Sequence, residues 1–205
     1  MSREQMGGVG AVMSHELARA RRLGPDASSV VLVEGASDQA AVEALARRVG
    51  RDLGAEGVLV IAIAGATNIG RFLDLLGPSG FDVTLAGLCD RGEANEFSVA
   101  LNVAGLTVSS RSDMEQHGFF VCHDDLEEEL IRALGAEAML RVMEGQRQLR
   151  SFRRFQNQPA QREKTIEAQI WRWLGNHKIR YAPLMVDALD LDRIPLPLER
   201  LLAAI

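Results

Sequence analysis

Carboxylates recur in this sequence wherever a short apolar run ends. Val30–Val33 runs into Glu34, Gly35 and then Asp38. Val83–Leu88 runs into Cys89, Asp90, Arg91, Gly92 and Glu93, and Phe119–Cys122 into His123, Asp124, Asp125, Leu126 and Glu127. A fourth run, Val58–Ile63, ends instead in Ala64-Gly65-Ala66-Thr67-Asn68. If these runs are strands of one open sheet, their acidic ends converge on its carboxyl edge. Like charges gathered this way are costly unless cations neutralise them. Hard oxygen ligands suit Mg²⁺ or Mn²⁺ better than zinc or copper. Glu34 is the most telling member, because glutamate is a poor helix cap and follows directly on a buried run. Gly35 behind it permits a tight turn or close approach of backbone to a phosphate. Asp38, in the first turn of the next helix, is close enough to share an ion with Glu34. Its other reading is a first-turn carboxylate favoured by the helix dipole.

The elements that must position these groups alternate from Ser29 onward. Helices are expected at Ser37–Val49, where Ala41, Leu45 and Val49 recur at helical spacing, at Asn68–Leu76, at about Glu93–Val103, and at Asp124–Leu134. The four apolar runs between them read as strands buried on both faces. Such alternation predicts an α/β fold: a mainly parallel, four-stranded sheet flanked by helices. After Gly135 the pattern is helical only, with helices expected at Ala136 to about Phe155, at Gln161–Leu174, from Pro183 to Leu189, and from Leu198 onward. The expected organisation is an N-terminal helical extension (1–28), an α/β core (29–135) and a helical C-terminal appendage (136–205). The extension carries Gly7, Gly8 and Gly10 ahead of a basic helix from about Ser14 to Leu23.

Bulk properties narrow the class. The chain has 205 residues, 47% of them apolar and 25% charged, enough to bury a core without disulfide or metal staples. A formal charge of −5 lacks the basic footprint of a protein that coats nucleic acid, but does not exclude a nuclease. Cys89 and Cys122 have no zinc-ligand spacing and read as small apolar groups beneath the acidic edge. No apolar run approaches the ~18 residues that would span a bilayer, and no secretory leader is visible, so the expected location is cytoplasmic.

Val31-Leu32-Val33-Glu34-Gly35-Ala36-Ser37-Asp38 resembles the strand, Glu-Gly, then Asp signature of TOPRIM domains. Ala64-Gly65-Ala66-Thr67-Asn68-Ile69-Gly70-Arg71-Phe72 is similar to the glycine-led segment that follows in the OLD-family (overcoming lysogenisation defect) nucleases. Leu88-Cys89-Asp90 stands where the family carries Asp-x-Asp, and Asp125-Leu126-Glu127 resembles its later acidic motif. Lys178-Ile179-Arg180-Tyr181-Ala182 looks like the region that brings an active-site lysine. The resemblance covers residues 29–135 well and implies a Rossmann-like TOPRIM sheet with a one- or two-metal phosphoryl-transfer site for Mg²⁺ or Mn²⁺. It implies Asp90 as bridging ligand, Asp38 on one ion and Glu127 on the other. Glu34 would ligate or act as general base, and Lys178 would neutralise charge developing on the phosphoryl group. The implied activity is that of a metal-dependent DNA endonuclease, with nucleic acid as partner, a separate ATPase as a further one, and a homodimer as an option.

The second aspartate of Asp-x-Asp is missing, because position 92 is glycine. Either Glu93 reaches back to serve the metal, or one ion is held less firmly, or the domain is a degenerate module that binds nucleic acid or a protein. Nucleotidyl transfer is a third reading, and a topoisomerase would need a breakage-reunion tyrosine, for which Tyr181 is the sole candidate. No Walker loop is present, so ATP hydrolysis by this chain is not expected. Arg147, Arg150, Arg153 and Arg154, interleaved with Phe152 and Phe155, form a candidate nucleic-acid-binding surface. The alternative there is an ordinary amphipathic helix with its phenylalanines in the core. His123 and Asp124 read either as polar edge residues or as a catalytic pair. Trp171 and Trp173 cannot share one helical face, so at least one is expected to be partly exposed or in an interface.

Overall fold

The structure is a computed structural model that describes residues 3–23 and 26–205; residues 1, 2, 24 and 25 of the expected extension lie outside the described residues. Its centre is a four-stranded parallel sheet made of β1 (Ser29–Val33), β2 (Val58–Ala62), β3 (Thr84–Cys89) and β4 (Phe119–Val121). The strand order is β2-β1-β3-β4. Chain direction across the sheet therefore reverses at β1, and the crevice at such a switch lies outside the carboxyl ends of β1 and β3. Val33 is level with Ala62 on one side and Leu88 on the other, so Glu34 and Asp90 emerge from adjacent strands at nearly the same height.

Side chains alternate across the pleat, and both faces are covered. Val31, Val33, Ala86, Leu88 and Phe120 pack with α2 (Ala36–Arg48), α6 (Leu126–Leu134) and the C-terminal helices. Val30, Leu32, Ile61, Phe119 and Val121 pack with α1 (Arg3–Leu23), α3 (Ile69–Leu76), α4 (Ala94–Val103) and α5 (Arg111–Gln116). Position 87 must be glycine for this packing, since a Cβ there would sit 2.5 Å from Phe119 Cδ1 and 3.0 Å from Leu32 O.

The strands fall within one residue of expectation, whereas the helices after Gly135 differ. The single helix expected over Ala136–Phe155 is two, α7 (Ala136–Gly145) and α8 (Leu149–Gln156). They are broken where Arg147 adopts a left-handed backbone, φ 57°. The helix expected from Gln161 starts later, as α9 (Ile166–Leu174), because Thr165 caps it by accepting from Ala168 N. The helix expected to start at Pro183 instead starts at Lys178, as α10 (Lys178–Ala188), with Pro183 inside it. Burial of Tyr181, Ala182, Met185 and Val186, with α10 lying along α2, offsets the hydrogen bond that the proline cannot make. The last helix, α11 (Leu196–Ala203), takes Pro197 into its first turn. Helix α6 starts at Leu126 with Asp125 as its cap, and α5, absent from the sequence reading, is capped by Ser110. At the other end α1 runs through the N-terminal glycines to Arg3 rather than starting near Ser14. No helix among the described residues is long and apolar enough to cross a membrane.

Candidate metal centre at the carboxyl edge of the sheet

Glu34 leaves β1 at the switch point, and Gly35 behind it is the N-cap residue of α2. With no side chain at the cap, the Gly35 N–H donates to Asp38 Oδ2 at 2.8 Å, which turns the Asp38 carboxylate back toward the strand end. Asp90 follows β3 and opens a short 3-10 turn, Arg91–Glu93, closed by Glu93 N donating to Asp90 O at 3.1 Å. That tight turn returns the Glu93 side chain to the site. Glu34, Asp90 and Glu93 each present an oxygen within 4.8 Å of the other two. The Glu93 side chain thus stands beside Glu34 and Asp90.

The second wall comes from α6 and α10. Glu127, 3% exposed, lies in the first turn of α6, and its Oε2 accepts from Lys178 Nζ at 2.8 Å. Lys178 is the first residue of α10. Asp125 carries three contacts. Its Oδ1 accepts from Glu128 N at 2.7 Å, its Oδ2 accepts from Trp171 Nε1 at 2.6 Å, and Oδ2 lies 3.7 Å from Lys178 Nζ. Neither Asp125 nor Trp171 was singled out as a site residue from sequence; the signal was an acidic residue two before Glu127, within a motif already noted.

The electrostatics of this edge are those of carboxylates crowded in a half-dry crevice. Burial, then the charge of Asp38 and of Glu34, pushes Asp90 up to about 8. Burial and the charge of Glu127 push Asp38 up to about 7, against the lowering hydrogen bond from Gly35. Glu34 is also raised, by burial first and by Glu93 next, with Lys178 opposing. Burial alone would lower Lys178, but its bond to Glu127 and the charges of Glu127, Asp125 and Asp90 outweigh that and hold its ammonium charged. Two carboxylate oxygens, Glu34 Oε2 and Glu127 Oε1, are shut from solvent with no hydrogen-bond partner. Orphaned buried acceptors cost about 1–3 kcal/mol each, more when charged, unless something electropositive meets them. Hard carboxylate oxygens, raised carboxyl pKa values and orphaned acceptors together fit a divalent cation with oxygen preference.

Other candidate residues stand apart. His123 Nδ1 pairs with Asp124 Oδ2 at 3.1 Å, and Arg91 lies 3.8 Å from Asp124, all three on the exposed surface. Cys89 and Cys122 are buried free thiols, and burial first of all pushes both upward, so they pack as small apolar groups. Arg150, Arg153 and Arg154 are exposed on α8, while Arg147 belongs to the turn before it. Phe152 is fully buried against Trp173, ring centroids 6.0 Å apart, and Phe155 is half-buried beside it. Phe152 is therefore core, and base stacking by it is not available. Of the two tryptophans, Trp173 is 6% exposed and Trp171 41%.

A parallel sheet of order β2-β1-β3-β4, with an acidic crevice at its switch point, defines a TOPRIM-type α/β domain. Residues 27–91 match the family model "Overcoming lysogenization defect protein-like, TOPRIM domain". The structure is similar to the C-terminal region of the Xanthomonas campestris pv. campestris OLD protein at TM-score 0.69 and 26% identity, covering 87% of this chain and 92% of that one. The C-terminal region of the Burkholderia pseudomallei OLD protein shares the fold at TM-score 0.65 and 20% identity, covering 87% of this chain and 96% of that one. No curated protein matches the sequence. TOPRIM domains typically bind divalent metals, in keeping with the acidic cluster of this edge.

Proposed function

We propose that this chain is a Mg²⁺- or Mn²⁺-dependent nuclease that hydrolyses phosphodiester bonds, with DNA as its substrate. The observation that carries the reading is the trio Glu34, Asp90 and Glu93, which present oxygens within 4.8 Å of one another, together with a buried, unpartnered Glu34 Oε2. Glu34, Asp90 and Glu93 would hold an ion, with Asp38 and Glu127 as the further ligands of a one- or two-ion site. Bound there, a divalent ion supplies Lewis-acid charge at phosphoryl oxygens and lowers the pKa of an attacking water. The residues do the rest. Glu34 ligates or takes the proton from water through the oxygen that has no other partner. Lys178 stays charged and offers its ammonium to negative charge that develops on the phosphoryl group. Its bond to Glu127 orients it beside the carboxylates and orders the start of α10.

A catalytically degenerate module that binds nucleic acid or a protein is the second reading, and Gly92 is the observation that favours it. Glu93 in the trio weighs against it. A breakage-reunion role for Tyr181 is disfavoured, because its ring is fully buried and its hydroxyl has no partner. The test is nicking of supercoiled plasmid in Mg²⁺ or Mn²⁺ beside Glu34→Ala and Asp90→Ala, with ion binding measured by calorimetry. Nicking by wild type that both variants lose supports the nuclease. Ion binding without nicking supports the degenerate module, and no ion binding overturns the catalytic reading.

A further inference from the structure

Where α6 and α9 pack side by side they leave a groove of about 360 Å³ next to the acidic crevice. One wall is Asp124, Asp125, Glu128 and Ile131, and the other is Thr165, Glu167, Ala168 and Trp171. Trp171 is the unusual member. Its helix buries Ile170, Trp173 and Leu174, while Trp171 points out of the core, 41% exposed. Its indole is nevertheless tethered, because Nε1 donates to Asp125 Oδ2 at 2.6 Å. The same oxygen lies 3.7 Å from Lys178 Nζ, and that ammonium is 2.8 Å from Glu127 Oε2. The groove and the candidate metal centre therefore share Asp125.

We propose that this groove seats one unpaired nucleobase of the substrate strand, stacked on Trp171 beside the bond to be cut. The inference rests on the nuclease reading above and adds to it a substrate class: strands that are single, frayed or flipped at the cleavage point. The groove's charge indicates which part of a nucleotide it takes. Its carboxylates repel a phosphate, so the backbone does not enter. Carboxylates accept hydrogen bonds from base N–H groups, as they do from cytosine N4, and an aromatic face stacks on any base. A base inside a duplex already stacks on its neighbours and has its edge paired, so only an unpaired one gains both interactions. The tethered indole is also pre-oriented, which lowers the ordering cost of binding.

Tryptophan fluorescence tests this directly, because Trp171 is exposed and Trp173 is not. Wild type, Trp171→Phe and Trp171→Ala are titrated in Mg²⁺ with nuclease-resistant phosphorothioate oligodeoxynucleotides. The strands are single, fully paired as a hairpin, or single but abasic at successive positions. Wild-type emission is expected to quench with the single strand and to lose that response when the seated position is abasic. Trp171→Ala is expected to bind the single strand about 5- to 150-fold more weakly, the worth of one stacked base, while Trp171→Phe keeps most of the affinity. Emission from Trp173 reports that both variants fold. Equal losses in the two variants would assign Trp171 a structural role through its N–H bond to Asp125 and overturn the proposal. Equal quenching by hairpin, by abasic strands, or by none of the strands also overturns it. If wild type nicks plasmid in any of those cases, the nuclease reading stands without the groove; if it binds no divalent ion, that reading fails first.

Discussion

Lys178 Nζ lies 2.8 Å from Glu127 Oε2, joining the first turn of α10 to the first turn of α6 across 51 residues of sequence. Glu127 is almost wholly buried, with its other oxygen unpartnered, so this ammonium is a counter-charge held inside the crevice. The pair couples the C-terminal helices to the acidic edge of the sheet.

Removing the lysine should therefore separate binding from turnover. Lys178→Ala deletes a positive charge that competes with a divalent ion for the same carboxylates, so ion affinity by calorimetry should hold or rise. Turnover should fall by about 10²–10³, the usual loss when one stabilising donor is removed from a transition state. Without metal the variant should also be less stable by a few kcal/mol, because a buried carboxylate is left unpaired. Weaker ion binding together with unchanged nicking would contradict this assignment.

The raised carboxyls make a pH prediction with a definite sign. Asp90 titrates at about 8 and Asp38 at about 7 in the fold, against an ordinary value of 3.8 for each. Between those values the folded protein keeps protons that the unfolded chain has released. The contribution of these groups is therefore fully present below about pH 4 and is lost as pH rises through 7 to 8. In chelator, the melting temperature should fall from roughly pH 5 to pH 8. Added Mg²⁺ should raise it more at the upper end, since the ion binds the deprotonated carboxylates. A melting temperature in chelator that climbs over that interval would show that these carboxyls are not the dominant titrating groups.

Gly92→Asp tests whether an aspartate at position 92 can take over from Glu93. A Cβ at Gly92 would meet nothing within 4 Å, so Gly92→Asp should fold with a stability change of about 0.5 kcal/mol or less. Glu93→Gln should weaken ion binding about tenfold, or ~1.4 kcal/mol. Gly92→Asp in that background should recover part of the loss. Calorimetry on the two single variants and the double variant reads the coupling, and strict additivity would mean that the two positions serve different ions.

Gly87 tests the packing beneath the site. A methyl group added there must displace the Phe119 ring, so Gly87→Ala should cost about 1–3 kcal/mol or more in denaturant unfolding. Combining it with Phe119→Leu should restore part of that, a coupling expected only of residues in contact.

Much of this was legible in the chain itself. The four strands were readable because parallel strands covered on both faces are short continuous apolar runs bounded by turn residues. Glu34 and Asp90 stood out because charge directly after such a run is costly without a purpose, whereas Glu127 was picked out by its likeness to the family's later acidic motif. The helical half was harder. Arg147 breaks a helix by backbone conformation, which residue type barely signals outside glycine, and Pro183 sits inside a helix because packing against α2 outweighs one lost hydrogen bond.

By itself, then, the sequence determined the four strands and the carboxylates that follow them, because both are local patterns of burial and turn chemistry. Strand order was decided only in three dimensions. Nothing local says that β1 lies beside β3, yet that neighbourhood is what brings Glu34 to Asp90 and makes a 3-10 turn enough to return Glu93. The placement of Lys178 against Glu127, and of Trp171 against Asp125, was decided there too. Such contacts join residues tens of positions apart, and their geometry is set by how α6, α9 and α10 pack, not by any spacing along the chain.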